Sequence, residues 1–174
     1  TVRDGLYATI IIAVGGLAIG IVIGMLIAVT KVVPKYSPFV KVLSRISDIY
    51  VGFFRGTPMV VQLLLVYYVL LPAMSVRIDS AVTVAVIVFG LNSCAYVSEI
   101  MRSGINSVDQ GQLEAGRALG LSYPVAMLRI VIPQAIKNII PTLGNEFIVL
   151  VKETSVTSFI TVVDLTRAFR GIAS

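Results

Sequence analysis

The chain contains no histidine and a single cysteine, Cys94. Zinc, haem and Ser-His-Asp chemistry thereby lose their usual ligands and bases. One cysteine cannot close an intrachain disulfide, and Cys94 lies in an apolar stretch where it reads as packing. Charge is scarce too: 13% of the 174 residues are Asp, Glu, Lys or Arg, against about a quarter in a soluble domain. So little polar surface cannot face water. No G-x-x-x-x-G-K-[ST] run is present, so the chain builds no P-loop by that route. No cleavable-signal pattern follows Thr1–Leu6, where the first apolar run is too long. The absence of an initiator methionine suits a processed chain, a piece of a longer one, or a start that is not shown.

What is there is apolar: 57% hydrophobic residues, mean hydropathy +0.96, and long apolar runs that recur. The expected fold class is all-α, a polytopic α-helical membrane protein. One transmembrane domain is expected over residues 1–174, with spans at about 7–30, 57–71, 80–100 and 130–151. In the first span Gly16, Gly20 and Gly24 recur every fourth residue, a small-residue stripe that lets a neighbouring helix approach closely. Pro34 and Pro38 break that helix, and 44–54 reads as an amphipathic or interfacial helix. The second span is short and can start earlier, near Ile49. Pro133 and Pro141 interrupt the fourth. The segment 152–174 mixes polar and apolar residues and does not span, so a further span is expected beyond Ser174.

The placement of the net charge of +5 points to topology rather than to nucleic acid. The connector after the first span carries Lys31, Lys35, Lys41, Arg45 and Arg55, and the polar insert and its edges carry Arg102, Arg117, Arg129 and Lys137. The opposite side has Arg3, Arg77, Lys152, Arg167 and Arg170. Nine against five puts the insert in the cytoplasm and the N-terminus outside.

Within that insert the segment 107–124 predicts two jointed helices. Ser107 with Gln110 fits a capping box, and Asp109 suits the first turn. Gln110–Leu119 reads as helix, Gly120 as its stop, and Ser122 as the cap of a second helix with Pro124 in its first turn. That helix feeds into the fourth span, so a push on the insert reaches the bilayer core.

Glu114, Ala115 and Gly116, then Gly120, then Ile130, Ile132 and Pro133, resemble the EAA signature of ABC-importer permeases throughout its spacing. The departures are Gly116 for the second alanine and Ile132 for leucine. Gly116 is expected to loosen its helix by up to about 1 kcal/mol. Arg55-Gly56-Thr57-Pro58 followed by Val61-Gln62-Leu63, the run Ala95–Arg102, Gly111-Gln112, Gln134-Ala135, Asn145 and Lys152–Ser155 resemble the polar-amino-acid permeases of that family. The resemblance covers nearly the whole chain.

It implies the type I ABC importer transmembrane fold, usually with five spans, and a permease subunit that is not itself an enzyme. It implies partners: ATPase subunits that bind ATP-Mg, a second permease copy or homologue, an extracytoplasmic solute-binding protein, a polar amino acid, and lipid of a bacterial inner membrane. No cofactor is expected in this chain. The insert becomes a coupling helix, with ATPase docking assigned to Gln112, Glu114, Ala115, Gly116, Arg117, Ala118, Leu119 and Gly120.

The substrate path is read from ionisable and polar groups in the spans, which are costly there and default to function. A zwitterion needs a cation for its carboxylate and an acceptor for its ammonium. Asn145, Glu146, Lys152 and Glu153 include both, and Asn145, Val149, Lys152 and Glu153 share a broad helix face. Glu99 is a further candidate, although pairing with Arg102 is its favoured role. Pairing with basic residues on other helices is the competing role for Glu146 and Glu153. Two other readings stand beside the importer: a proton-coupled secondary amino acid transporter using Glu99 and Glu146, which leaves the EAA insert unexplained, and a membrane enzyme, for which clustered carboxylates and histidine are missing.

Overall fold

The computed structural model describes residues 2–160 and 162. Arg167 and Arg170, counted above on the outer side, lie outside the described residues, as does most of the segment 152–174. In order, the helices are α1 (Val2–Val32), α2 (Pro38–Gly56), α3 (Met59–Leu65), α4 (Leu71–Ala73), α5 (Ala81–Asn106), α6 (Gln110–Ala118), α7 (Tyr123–Ala126) and α8 (Ile132–Glu153). A π segment, Val66–Leu70, joins α3 to α4, and another, Met127–Val131, joins α7 to α8; a 3-10 helix, Thr154–Ile160, follows.

The frame is α1 packed along α5. The two run parallel: Gly16 faces Phe89, Gly20 faces Ser93, and Gly24 faces Cys94 and Val97. A Cβ on Gly20 would meet the Ser93 Cβ at 2.8 Å and its backbone carbon at 3.2 Å. Only a residue without a side chain allows the two backbones this close. In lipid such proximity holds helices together through dispersion, because no water remains to be released. α8 runs back along α5, with Ile139 against Gly104 and Asn138 donating to the Ser107 hydroxyl at 2.8 Å. Two apolar clusters result. One joins Ile12, Leu63, Val88, Phe89 and Leu150; the other joins Ala28, Val97, Met101, Val131 and Ala135 at the basic end.

α1 and α5 are each long and apolar enough to cross a bilayer. The second expected span, 57–71, begins at a bend. The chain turns by 104° between Pro38–Gly56 and Met59–Ala73, and this bent pair is long and apolar enough for a third crossing when taken as one span. The break falls at Thr57-Pro58, where proline removes a donor and pushes its predecessor to extended backbone; Thr57 has φ −118° and ψ 142°. Gln62 stitches it. Its amide nitrogen lies 2.9 Å from the Phe54 carbonyl, 3.0 Å from the Thr57 carbonyl and 2.7 Å from the Thr57 hydroxyl, while its carbonyl accepts from the buried Asn92 amide at 2.9 Å.

α2 is amphipathic in an inverted sense. Phe39, Val42, Ile46, Ile49 and Phe53 are exposed, whereas Ser44, Ser47 and Val51 are buried. Its apolar stripe faces outward and its polar stripe faces α1 and α5, as suits a helix whose solvent is lipid.

The fourth expected span, 130–151, corresponds to α8 but is not interrupted. Pro133 sits in the first turn of α8, directly after the wider π turn, and Pro141 lies inside a continuous helix. α8 is not among the helices apolar enough to cross by themselves; it carries Lys137, Glu146, Lys152 and Glu153.

Candidate functional site

The first candidate is the jointed insert. α6 begins at Asp109, not at Ser107. The Asp109 carboxylate accepts from the Gly111 N–H at 2.6 Å, which corrects the expected capping box. Ser107 is spent on the preceding helix: its hydroxyl donates to the Gly104 carbonyl at 2.7 Å and accepts from Asn138. The other end of α6 closes as a Schellman turn. The Leu121 N–H reaches the Gly116 carbonyl at 3.2 Å, the Gly120 N–H reaches the Arg117 carbonyl at 3.0 Å, and Gly120 has φ +88°. Any side chain at 120 would be strained in that left-handed position. Ser122 precedes α7 without a side-chain cap bond, and Pro124 occupies its first turn.

α6 has two faces. Leu113 is half-buried and Gly116 buried; a Cβ on Gly116 would meet the Ile130 Cδ1 at 2.6 Å and the Ala126 Cβ at 3.4 Å. Gly116 therefore seats α6 on α7 and the π segment. This corrects its assignment to a docking surface. The nearest atom is a side-chain tip, so an alanine there needs only a turn of Ile130. Gln112, Glu114, Ala115, Arg117, Ala118, Leu119 and Gly120 are all exposed, Leu119 to 85%. A polar rim around an exposed leucine on a rigidly seated helix is a surface made to be covered.

The second candidate is a polar cavity of about 580 Å³ between α2, α5 and α8, walled by Arg55, Tyr96, Arg102, Ser107, Asn138 and Thr142, among others. Glu99 stands at its edge as the centre of an ion-pair hub. Its Oε1 accepts from Lys31 at 2.6 Å and its Oε2 from Arg102 at 2.8 Å; Lys31 also meets Asp48 at 3.0 Å. The Lys31 side chain is 8% exposed and that of Glu99 17%. The hub ties α1, α2 and α5 together. Arg55 stays 3.8 Å from Glu99 and lies over the Tyr96 ring at 5.4 Å. Cation–π contact holds its guanidinium plane while leaving its donors available.

On α8 the proposed substrate face splits. Asn145, Val149 and Lys152 are exposed, while Glu146 is buried, as is Leu150, and Glu153 is half-buried about two turns beyond Glu146. The structure thus puts Arg55, unassigned from sequence, on the wall of the cavity that Asn138 and Thr142 of α8 also line, and keeps Lys152 on the exposed side. The signal in the sequence was the run Arg55–Pro58, read there as a family mark and a topology charge only.

The fold defines an all-helical membrane protein that carries an exposed jointed helix at its basic end. The chain belongs to the family described as binding-protein-dependent transport system inner membrane components, whose model matches residues 7–170. It is 41% identical to the arginine transport system permease protein ArtQ of Bacillus subtilis (strain 168), over 95% of this chain and 73% of the relative. It is 40% identical to the putative glutamine transport system permease protein GlnP of Rickettsia prowazekii (strain Madrid E), over 94% and 72%. Among solved structures, an amino acid ABC transporter crystallised with histidines matches with TM-score 0.89 and 42% identity, covering 98% of this chain and 77% of that one. The MetNI methionine transporter, at 19% identity and TM-score 0.64, shares the fold.

Proposed function

We propose that this chain is the permease subunit of an ATP-driven, binding-protein-dependent importer of polar amino acids in a bacterial inner membrane. Its basic end faces the cytoplasm, as the distribution of lysine and arginine supports. The observation that carries the reading is α6, an exposed nine-residue helix seated on α7 and the π segment that leads into α8, and rimmed by Glu114, Arg117 and Leu119. Two partner ATPase subunits hold ATP-Mg and grip that helix. A second permease copy or homologue completes the path, and an extracytoplasmic solute-binding protein delivers the solute. The permease itself is not an enzyme. The relatives give the proton-coupled alternative no support.

Docking rests on Gln112, Glu114, Ala115, Arg117, Ala118, Leu119 and Gly120. Glu114→Lys and Gly120→Trp are expected to abolish ATP-dependent uptake while the subunit still inserts and the fold persists. Uptake and ATPase coupling in reconstituted vesicles check this; wild-type uptake in both variants removes the docking assignment.

The solute crosses between α2, α5 and α8. In this reading Arg55 takes its carboxylate, and Glu146, with Glu153 and Asn145, takes its ammonium or side-chain donors. Glu99, with both oxygens engaged, holds the wall of this path and does not read the solute. Glu146→Gln is expected to lower uptake at least about tenfold, the loss of one charged hydrogen bond, with ATPase assembly unchanged. Equal uptake in the variant argues against a role for Glu146 in the path.

A further inference from the structure

A second polar cavity, about 410 Å³, opens on the other side of the Glu99 hub. Lys31, Lys35, Arg55 and Arg102 supply four positive charges to its lining, against Asp48 and Glu99. The two acids are already used: Glu99 accepts from Lys31 and Arg102, and Asp48 pairs with Lys31. Lys35, in the loop between α1 and α2, has no carboxylate partner among the described residues, and Arg55 is only loosely paired. The lining therefore carries two positive charges in excess. The Ser44 hydroxyl, also on this wall, is buried without a hydrogen-bond partner. A buried donor left unmatched is costly, and one beside uncompensated cations suits an incoming acceptor oxygen.

We propose that this cavity is a binding site for a phosphate group, held by Lys35, Arg55 and Arg102 with Ser44 beneath it. Three cations from separate elements and one hydroxyl match an anion with several acceptor oxygens better than a planar carboxylate, which a single guanidinium saturates. Such a phosphate comes from an anionic phospholipid headgroup or from a soluble phosphate. The lipid source draws support from α2, whose outer stripe of Phe39, Val42, Ile46, Ile49 and Phe53 is exposed and offers a bed for acyl chains. Arg55 borders both this cavity and the proposed solute path, so a phosphate here competes with the solute's carboxylate for it.

Lys35 reports occupancy through its amine. Lys41, exposed on α2 and absent from the cavity wall, serves as the internal reference. The full-length permease, in its assembled complex, is placed in phosphatidylcholine vesicles, in the same vesicles with millimolar inorganic phosphate at matched ionic strength, and in vesicles containing phosphatidylglycerol. Acetylation by membrane-permeant acetic anhydride is then read by peptide mass spectrometry. The ratio of Lys35 to Lys41 labelling is expected to fall roughly tenfold, given two uncompensated cations near an anion. A fall with phosphatidylglycerol alone assigns the lipid source, and a fall with inorganic phosphate assigns the soluble one. Arg102→Gln is expected to restore most of the labelling while Lys41 reactivity stays constant. An unchanged ratio in both anionic conditions, or equal protection in Arg102→Gln, overturns the site.

Discussion

Replacing Gly20 by leucine is expected to destabilise the subunit by about 3 kcal/mol or more, at or above the top of the usual range for overpacking. The reason is geometric. Already the first carbon of a side chain collides with Ser93, including its backbone, so no rotamer of a neighbour relieves it. α1 and α5 must separate, and dispersion contacts weaken along the whole stripe from Gly16 to Gly24. Gly144 is the control, because a Cβ there meets nothing within 4 Å. Gly144→Ala is therefore expected to leave stability level or to raise it slightly. Thermal unfolding of the purified complex in detergent, followed by size-exclusion chromatography, measures both. If Gly20→Leu melts with the wild type, the close parallel packing of α1 on α5 is wrong.

The second large effect is expected at Glu99. Glu99→Gln removes the carboxylate that meets Lys31, Arg102 and, more distantly, Arg55. Lys31, with its side chain only 8% exposed, is then left with Asp48 alone. Breaking one side of a buried pair costs about 3–5 kcal/mol, because the remaining charge stays desolvated. Taking away both charges is far milder. The double variant Lys31→Met with Glu99→Gln is thus expected to recover more than half of the loss. A double-mutant cycle on thermal stability gives the coupling energy directly. Additive losses from the two single variants would falsify the hub as a coupled unit.

Both effects depend on features of unequal visibility in the sequence. The glycine stripe was legible because its four-residue period is a property of one helix. Gly120 was legible for the same reason: a left-handed stop is local chemistry. Ser107 was misread because its hydroxyl had two possible employers, and only the approach of Asn138 on α8 decides for the preceding helix. Lys31 looked like one connector charge among five; its burial is set by Glu99, 68 positions later. Gln62 and Arg55 were visible as parts of a motif, yet their work depends on partners in α5: Asn92, which Gln62 meets just after a 104° turn, and Tyr96 under Arg55. Pro133 and Pro141 were read as breaks because proline costs a helix its bond in water-soluble contexts. Here a π turn stands ahead of Pro133, and the helix runs on through the exposed Pro141.

The inverted α2 has a consequence for how the chain enters the bilayer during synthesis. α1 is apolar enough to partition by itself, but α2 offers lipid a stripe that also carries Ser44, Ser47, Asp48 and Arg55 on its reverse. A helix of that kind has no stable resting place until something covers the reverse side. Asp48 can meet Lys31 as soon as α2 is made, which gives the pair a provisional hold. Ser47 can meet Thr30 at the same stage, whereas Arg55 waits for α5, which brings Tyr96 under its guanidinium and Glu99 beside it and Lys31. The nascent chain is therefore committed in two instalments, and the interval between them is when a chaperone or the insertion machinery must shelter α2 from both water and lipid.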